Sequence, residues 1–176
     1  MQPRGASRNP LQSALAMLAR RPYSVAELRR ALEKKFPSED ISPVIARLRE
    51  LGYLDDRKYA ESLALSLARN RSYGRYRIKR ELKNKLVDYR VIDDAVDKAF
   101  ESVNERQLLE EAIQKKVRNL RKPFTHAKLA SLCQSLIRRG FRADDIMKAV
   151  RQRPELKPVY GNDLTEADLE GNGEES

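Results

Sequence analysis

The clearest pattern along the chain is an aromatic residue that precedes a helix-capping residue, with an apolar residue five positions after the aromatic one. It occurs three times, as Tyr23-Ser24 with Leu28, Tyr73-Gly74 with Ile78, and Phe124-Thr125 with Leu129. Each copy fits a hydrophobic staple, in which the residue before the N-cap packs on the fourth residue of the helix. Successive copies are about 50 residues apart, which predicts one helical unit used three times.

Between the staples, apolar residues recur every three or four positions, and no stretch alternates apolar and polar residues over the length of a strand. This periodicity is typical of amphipathic helices. We therefore predict an all-α fold, an elongated curved array of three tandem three-helix repeats. The predicted boundaries are a flexible arm over 1–10, repeats over 11–53, 54–101 and 104–153, and an acidic disordered tail over 154–176.

The junction between the first two repeats carries specific local signals. Gly52 is predicted to end a helix in the left-handed conformation, and Asp55 to cap the next helix. That helix is expected to run over 56–71. It is predicted to bury Tyr59, Leu63, Leu67 and their neighbours.

Composition narrows the class of protein. No apolar run approaches the roughly 18 residues that a bilayer crossing requires. The N-terminus lacks the apolar core and cleavage site of a signal peptide. We therefore expect a cytoplasmic protein that does not contact membranes.

The sequence offers little that could carry catalysis. A single Cys133 and a single His126 give no residue set for a zinc site or an internal disulfide. The glycines are scattered rather than grouped at the spacing of a phosphate-binding loop. Cys133 lies among apolar residues at helical spacing, which is typical of a buried structural thiol. We expect no enzymatic activity, no cofactor and no metal.

Adjacent acids could suggest metal ligands instead. They occur as Asp55-Asp56, Asp93-Asp94 and Asp144-Asp145. Each pair lies at or near a predicted helix start, where acids cap free N–H groups and complement the helix dipole. We interpret all three pairs in this way.

Charge is the strongest functional signal. The net charge is +10, and because six acids after residue 160 come with no Lys or Arg, the rest of the chain carries +16. An excess of one sign is typical of proteins that bind a polyanion, since Lys and Arg displace counterions from phosphates. Nucleic acid or a nucleoprotein is the expected partner, although solvated helix faces also carry such charge.

The excess is densest between residues 57 and 85, where ten Lys or Arg accompany two Glu. Tyrosines are interleaved among these cations, as in proteins that stack bases and track phosphates. The predicted binding residues are Arg69, Arg71, Arg75, Tyr76, Arg77, Lys79, Arg80 and Lys83, with a second cluster of Arg118, Arg121, Arg138 and Arg139. Reversing Arg75, Arg77 and Arg80 to Glu is predicted to weaken binding and leave helicity intact.

Two groups of residues resemble the RecX family of bacterial recombination regulators. The first comprises Gly52-Tyr53-Leu54-Asp55-Asp56, Tyr59-Ala60, Tyr73-Gly74, Arg77-Ile78 and Glu81-Leu82. The second comprises Leu136-Ile137-Arg138-Arg139-Gly140-Phe141 and Asp144-Asp145-Ile146. Two positions depart from the family, which usually has Pro where this chain has Arg75, and Gly where it has Leu86. The second departure is expected to remove a helix C-cap.

The resemblance implies a non-enzymatic regulator that binds RecA and its filament on single-stranded DNA. Such a regulator occupies the filament groove and inhibits the recombinase, ATPase and coprotease activities. RecA, the RecA filament and single-stranded DNA are the implied partners, with duplex DNA left open, and a monomer is expected. The mechanism we favour is steric and electrostatic occupation of the groove.

Other functions stay open on the residues alone. A DNA-binding transcriptional regulator would use one triplet as a helix-turn-helix and bind one duplex sequence best. A helical adaptor would bind no nucleic acid, and its interactions would be insensitive to salt.

Overall fold

The computed structural model describes residues 9–120 and 124–157 of the chain. These residues form α-helices and one short 3₁₀ helix, without a strand among them. The helices are α1 (Pro10–Leu18), α2 (Val25–Lys35), α3 (Ser42–Glu50), α4 (Asp56–Arg71), α5 (Arg75–Asn84), α6 (Tyr89–Glu101), α7 (Glu105–Val117), α8 (His126–Arg138), α9 (Ala143–Arg151) and the 3₁₀ helix Pro154–Leu156. The predicted all-helical fold of three-helix repeats is confirmed. None of these described helices combines the length and apolar character that a bilayer crossing requires.

Contacts group the chain into two compact units. Unit 1 comprises the described residues up to Arg71 together with Arg77–Asn104, and therefore holds the first two triplets. Unit 2 comprises Ser72–Tyr76 and the described residues from Glu105 onward. The third triplet is thus joined by a short segment from the middle of the chain, a placement that the helical periodicity did not indicate.

The first triplet forms the staple that the sequence predicts. Ser24 caps α2, because its hydroxyl oxygen accepts the backbone N–H of Glu27 at 3.1 Å. Tyr23 packs against the core that contains Leu28, as the staple requires. Leu28 and Leu32 of α2 are fully buried in this core, to which α1 and α3 add their apolar faces.

Hydrogen bonds join the first two triplets within unit 1. The Ser24 hydroxyl donates to the carbonyl oxygen of Lys85, and the backbone N–H of Val25 donates to Asp56 Oδ1 at 2.8 Å. Burial raises the pKa of the Asp56 carboxyl above its ordinary value. The first N–H group of α2 is therefore satisfied by a residue of the second triplet.

In the second triplet, the buried face of α4 is centred on neighbours of the three residues named from the sequence. The fully buried residues are Ala60, Ala64 and Ala68, whereas Tyr59, Leu63 and Leu67 are half-buried. This helix packs along α6, whose Ala95 and Ala99 are also buried. Small residues at such a contact let two helices approach closely, so the larger side chains lie at its flanks.

The turn after α3 confirms the predicted glycine C-cap. Gly52 has φ of +74°, in the left-handed region. The Tyr53 N–H donates to the Leu48 carbonyl at 2.9 Å, and the Gly52 N–H donates to the Arg49 carbonyl at 3.0 Å. These two bonds define a Schellman motif, which satisfies carbonyl groups at the helix end.

The same motif ends α5, so the expected loss of a C-cap at Leu86 is wrong. The Val87 N–H donates to the Leu82 carbonyl at 3.2 Å, and the Leu86 N–H donates to the Lys83 carbonyl at 2.9 Å. Leu86 takes the glycine position with φ of +58°. A side chain with a Cβ is strained in that region, and the motif forms in spite of the strain.

The third triplet repeats the capping pattern. The Thr125 hydroxyl oxygen accepts the Lys128 N–H at 3.3 Å, and the preceding Phe124 is buried in the core of unit 2. Gly140, with φ of +91°, occupies the left-handed position after α8. Thr125 therefore begins α8 as the sequence predicts, and Gly140 ends it.

In the described residues, the first triplet begins before, and the third triplet ends after, the boundaries predicted from the sequence. Asn9 caps α1, since its side chain accepts the Gln12 N–H at 2.8 Å, and Pro10 is buried. At the other end, Leu156 is 2% exposed in the core of unit 2, so the predicted tail cannot begin at residue 154. The remainder of the predicted arm, 1–8, and of the predicted tail, 158–176, lies outside the described residues.

Candidate nucleic-acid interface

Two backbone carbonyl groups and one carboxylate of unit 2 accept hydrogen bonds from the N-terminus of α5. The Gly74 N–H donates to the Arg139 carbonyl at 2.9 Å, and the Tyr76 N–H donates to the Gly140 carbonyl at 3.2 Å. The Arg75 N–H donates to Glu105 Oε1 at 3.0 Å. Carbonyl and carboxylate oxygens thus satisfy the free N–H groups, and Glu105 complements the positive end of the helix dipole.

The two faces of α5 differ sharply. Ile78 and Leu82 are fully buried, as the staple and its stripe predict. Tyr76 is 59% exposed, and Arg80 and Lys83 are exposed as well. Because these three lie four and three residues apart, they share one side of the helix. We call Tyr76, Arg80 and Lys83 the basic row.

Three other predicted cations on α5 are paired with acids. Arg75 Nε donates to Glu105 Oε2 at 3.1 Å. Arg77 bonds Glu81 at 2.7 Å. Lys79 Nζ lies 2.6 Å from Asp93 Oδ1. These charges are partly balanced within the fold, so they are weaker candidates for a phosphate than the basic row.

The basic row has no such balance. In the part of the chain that the structure describes, Arg80 and Lys83 form no ion pair. Their cations can therefore meet phosphates without first giving up an acidic partner, and an exposed Tyr ring beside them can stack on a base.

The remaining predicted residues lie on other elements. Arg69 and Arg71 are exposed near the end of α4, where Arg69 Nη2 reaches Ser102 Oγ at 3.5 Å. In unit 2, Arg118 and Arg138 are exposed, while Arg139 is half-buried. Arg121 lies outside the described residues. The assignment of all these residues to a binding surface stays a prediction.

An open groove in unit 1 was missed by the sequence analysis. It has a volume of about 560 Å³ and carries Tyr23, Tyr53 and Tyr59 on its walls. The cations Arg21, Lys58 and Lys85 also line it. The sequence pattern assigns Tyr23 to a staple and Tyr59 to the buried face of α4. The groove combines segments too far apart in sequence for a local pattern to reveal it.

The Glu27 carboxylate forms ion pairs with two of those cations. Its carboxylate accepts hydrogen bonds from Arg21 at 2.9 and 3.1 Å, and from Lys85 Nζ at 3.3 Å. Burial raises the pKa of Glu27, but the bonds from Arg21 and Lys85 outweigh burial and leave that pKa below its ordinary value. The Arg21 guanidinium also lies over the Tyr23 ring, 3.6 Å from its centroid.

The residues considered for catalysis are placed as follows. Cys133 is half-buried in the third triplet, and burial raises the pKa of its thiol, which disfavours the reactive thiolate. His126 is exposed at the first position of α8. Among the described residues, no cluster of His, Cys, Asp and Glu has the arrangement of a metal site.

The acid pairs divide between capping and ion pairing. Asp55 Oδ1 accepts the Arg57 and Lys58 N–H groups at 3.0 and 3.1 Å, as a capping residue does. Asp93, in contrast, lies beyond the first turn of α6 and pairs with Lys79. Its interpretation as a capping residue is therefore wrong, because Asp88 is the residue that caps α6.

Comparisons with known proteins agree with these features. Two family models match the chain, the first three-helix domain of RecX at residues 11–48 and the second at 55–96. The regulatory protein RecX of Chlorobaculum tepidum is 35% identical over 148 residues, covering 84% of this chain and 89% of that protein. The regulatory protein RecX of Pelodictyon phaeoclathratiforme is 34% identical over 139 residues, covering 78% and 84%.

A solved structure shares the fold. The crystal structure of RecX from Lactobacillus salivarius superposes with a TM-score of 0.68 at 24% identity. The match covers 81% of this chain and 93% of that chain.

The helical triplets and the exposed cations of α5 define a basic helical-repeat protein. Proteins of this class use extended surfaces to bind macromolecular partners. The chain belongs to the RecX family of regulatory proteins. The resemblance noted in the sequence is thereby confirmed.

Proposed function

We propose that this chain binds RecA and its filament on single-stranded DNA, occupies the filament groove and inhibits the recombinase, ATPase and coprotease activities. Its membership of a family of regulatory proteins supports a regulatory role. The chain acts as a cytoplasmic monomer, uses no cofactor and catalyses no reaction. The single observation that carries the contact with the filament is the basic row on α5.

The basic row suits a nucleoprotein surface for a physical reason. Arg80 and Lys83 project from a helix whose opposite face is fixed in a core by Ile78 and Leu82. The helix is thus held rigidly, and its cations need little ordering to meet phosphates or acidic side chains. A protein bound in this way blocks the groove sterically and obstructs strand exchange and repressor access.

Acids at helix starts weigh against the helix-turn-helix alternative. A recognition helix contacts DNA with its N-terminal residues. In the second and third triplets, the third helices begin with acids, since Asp88 caps α6 and Asp144 and Asp145 lie in the first turn of α9. Carboxylates at these positions repel the DNA backbone, so a major-groove reader is the weaker proposal.

The proposal is tested by titrating the full chain into RecA assembled on single-stranded DNA. DNA-dependent ATP hydrolysis and strand exchange are measured in the same series. We expect both to fall at protein concentrations well below those that saturate the DNA alone, because the chain acts on the filament rather than by covering bare DNA.

Unchanged ATP hydrolysis and strand exchange at saturating protein would overturn the proposed RecA function. Tight binding to one duplex sequence, with other duplexes bound much more weakly, would favour the transcriptional regulator instead. Binding to a protein partner that does not respond to salt would favour the adaptor.

A further inference from the structure

The groove in unit 1 has the chemistry of a site for a single base. Three tyrosine side chains line it, and its volume of about 560 Å³ lies within the range of small-ligand sites, about 300 to 1,000 Å³. Tyr53 is 58% exposed and Tyr59 is half-buried, so both tyrosines keep accessible surface. Tyrosine rings stack on nucleobases with little preference for sequence.

The charge around the groove is largely balanced already. Arg21 and Lys85 share the carboxylate of Glu27, and Lys58 Nζ lies 3.8 Å from Asp55 Oδ2. An acidic peptide needs unbalanced cations, whereas a base needs aromatic surface with a few cations nearby for its phosphates. The ratio of rings to unbalanced charge therefore favours a nucleotide over an acidic peptide.

The groove also lies close in the chain to the basic row. Lys85 lines the groove and follows Lys83 by two residues. The side chain of Lys58 is 84% exposed and can turn toward a phosphate at low cost.

We propose that the groove lined by Tyr23, Tyr53 and Tyr59 takes one unpaired base of single-stranded DNA, with the exposed Lys58 meeting an adjacent phosphate. A base held in a duplex is stacked and paired, so its face cannot enter the groove. The groove thereby makes the chain prefer single strands. This inference rests on the proposed function, because it names a second contact with the same DNA.

The test compares two ligands and two variants of the full chain. The ligands are a fluorescein-labelled oligothymidylate and a base-free oligonucleotide of equal length, which keeps the phosphates and lacks the rings. The variants are Tyr53→Ala in the groove and Tyr89→Ala, whose side chain is 74% exposed outside it. Both tyrosines are exposed, so neither change removes a core residue.

If Tyr53 stacks on a base, replacing it should weaken binding of only the oligonucleotide that has bases. Tyr53→Ala is expected to weaken oligothymidylate binding about fivefold or more, as removal of one base stack does. It should leave binding of the base-free oligonucleotide unchanged, and Tyr89→Ala should leave both unchanged. Equal effects of the two variants, or an equal weakening with both ligands, would overturn the groove assignment.

A direct readout comes from photocrosslinking. Oligothymidylate carrying 5-iodouracil is irradiated with the wild-type chain, and adducts are located by mass spectrometry. Adducts on Tyr23, Tyr53 or Tyr59 support the proposal, and adducts confined to tyrosines outside the groove overturn it.

The outcomes separate the two proposals. Binding that depends on Arg80 and Lys83 but not on Tyr53 overturns the groove alone and leaves the proposed function standing. Binding of neither oligonucleotide, with RecA inhibition intact, overturns the DNA contact and the groove together. Tyr53-dependent binding of an acidic peptide in place of the oligonucleotide identifies the groove as a protein site and overturns the base assignment.

Discussion

The backbone of Gly74 lies directly against the backbone of Gly140 in unit 2. A Cβ added at position 74 would overlap the carbonyl group of Gly140 and lie 2.8 Å from the backbone nitrogen of Phe141. Two hydrogen bonds run across the same contact, from the N–H groups of Gly74 and Tyr76 to the carbonyl oxygens of Arg139 and Gly140. The start of α5 and the end of α8 thus meet without a side chain between them.

Gly74→Ala is expected to lower the free energy of unfolding by about 1–3 kcal/mol, because the new methyl group meets backbone that cannot move aside cheaply. Urea unfolding followed by circular dichroism measures the change. Asn substitutions provide the control, since Asn tolerates the left-handed region. Gly52→Asn should be accepted, as a Cβ there meets nothing within 4 Å, whereas Gly74→Asn should be as damaging as Gly74→Ala. Equal stability of Gly74→Ala and wild type would contradict the contact.

The left-handed conformation of Leu86 predicts a reversal of the usual preference between Ala and Gly. At position 86, where φ is +58°, Leu86→Gly should be more stable than Leu86→Ala by about 1 kcal/mol, since only the Ala variant keeps the strain. Both variants remove the packing of the leucine side chain, so their difference reports the backbone.

Leu51 is the matched control for Leu86. It also ends a helix, but its φ is −76°. Leu51→Gly should therefore be less stable than Leu51→Ala by about 0.5–1 kcal/mol, because Gly loses more backbone entropy on folding. Thermal or urea unfolding of the four variants gives both differences. The same sign at both positions would show that Leu86 is not strained.

The lowered pKa of Glu27 predicts a pH-dependent contribution to stability. Its charged form is favoured in the folded state, so the stabilisation is present above the unfolded pKa and is lost as pH falls through the folded pKa. Glu27→Gln should lower the free energy of unfolding at neutral pH by about 1–2 kcal/mol. The gap between wild type and variant should close as the pH falls below about 4.

Glu33 provides a control on the same helix. Its side chain is 53% exposed, and its carboxylate lies 3.8 Å from Arg29 Nη1. Exposed pairs of this kind contribute little, so Glu33→Gln should change stability by less than about 0.5 kcal/mol at any pH. A gap for Glu27→Gln that stays constant with pH would exclude the ionised carboxylate as its cause.

Charge reversal of the basic row should weaken binding without unfolding the chain. The double variant Arg80→Glu with Lys83→Glu is expected to bind single-stranded DNA and the RecA filament about tenfold or more weakly, because two cations that attract phosphates become anions that repel them. The dependence of log K on log salt should become less steep by about 0.7 for each phosphate that the variant no longer neutralises. Fluorescence anisotropy over a salt series measures both quantities.

The control for this variant makes the same change of net charge elsewhere. Arg30 and Lys34 are exposed on α2, and Arg30→Glu with Lys34→Glu should leave binding close to that of wild type. Equal weakening by the two double variants would mean that net charge, rather than the basic row, governs binding.

The structure also argues against the triple charge-reversal variant that the sequence suggested. The Arg75 side chain bonds the acid that satisfies its own backbone N–H, so Arg75→Glu would set two carboxylates side by side at a helix start. Weaker binding by the triple variant of Arg75, Arg77 and Arg80 could then arise from damage to the fold. Arg80 and Lys83 avoid this ambiguity, since both are exposed on the basic row.

Features controlled within one or two helical turns could be predicted from the sequence. Ser24, Thr125 and Gly52 cap helices as expected, because a cap is a bond between residues a few positions apart. The bounds of α4 agree with those predicted. The exposure of Arg80 and Lys83 also agrees with the stripe of Ile78 and Leu82 that α5 has to bury.

The sequence could predict only some of the acidic residues that pair with the predicted cations. Glu81 lies four residues after Arg77, a spacing at which helical side chains meet. Glu105 lies 30 residues from Arg75, and Asp93 lies on a different helix from Lys79. No local pattern links such residues, so the sequence could not distinguish balanced cations from those of the basic row.

By itself, the sequence determined the helices, the caps at Ser24, Gly52 and Thr125, the three-helix repeat and the basic character of α5, since each depends on residues that are neighbours along one helix. Only the tertiary structure decided that alanines form the buried face of α4, that the segment Ser72–Tyr76 belongs to unit 2, and that three tyrosines line one groove. These features depend on which surfaces meet across long stretches of chain. Several faces of a helix can be equivalent in the local sequence, and contact with the partner helix decides which of them is buried.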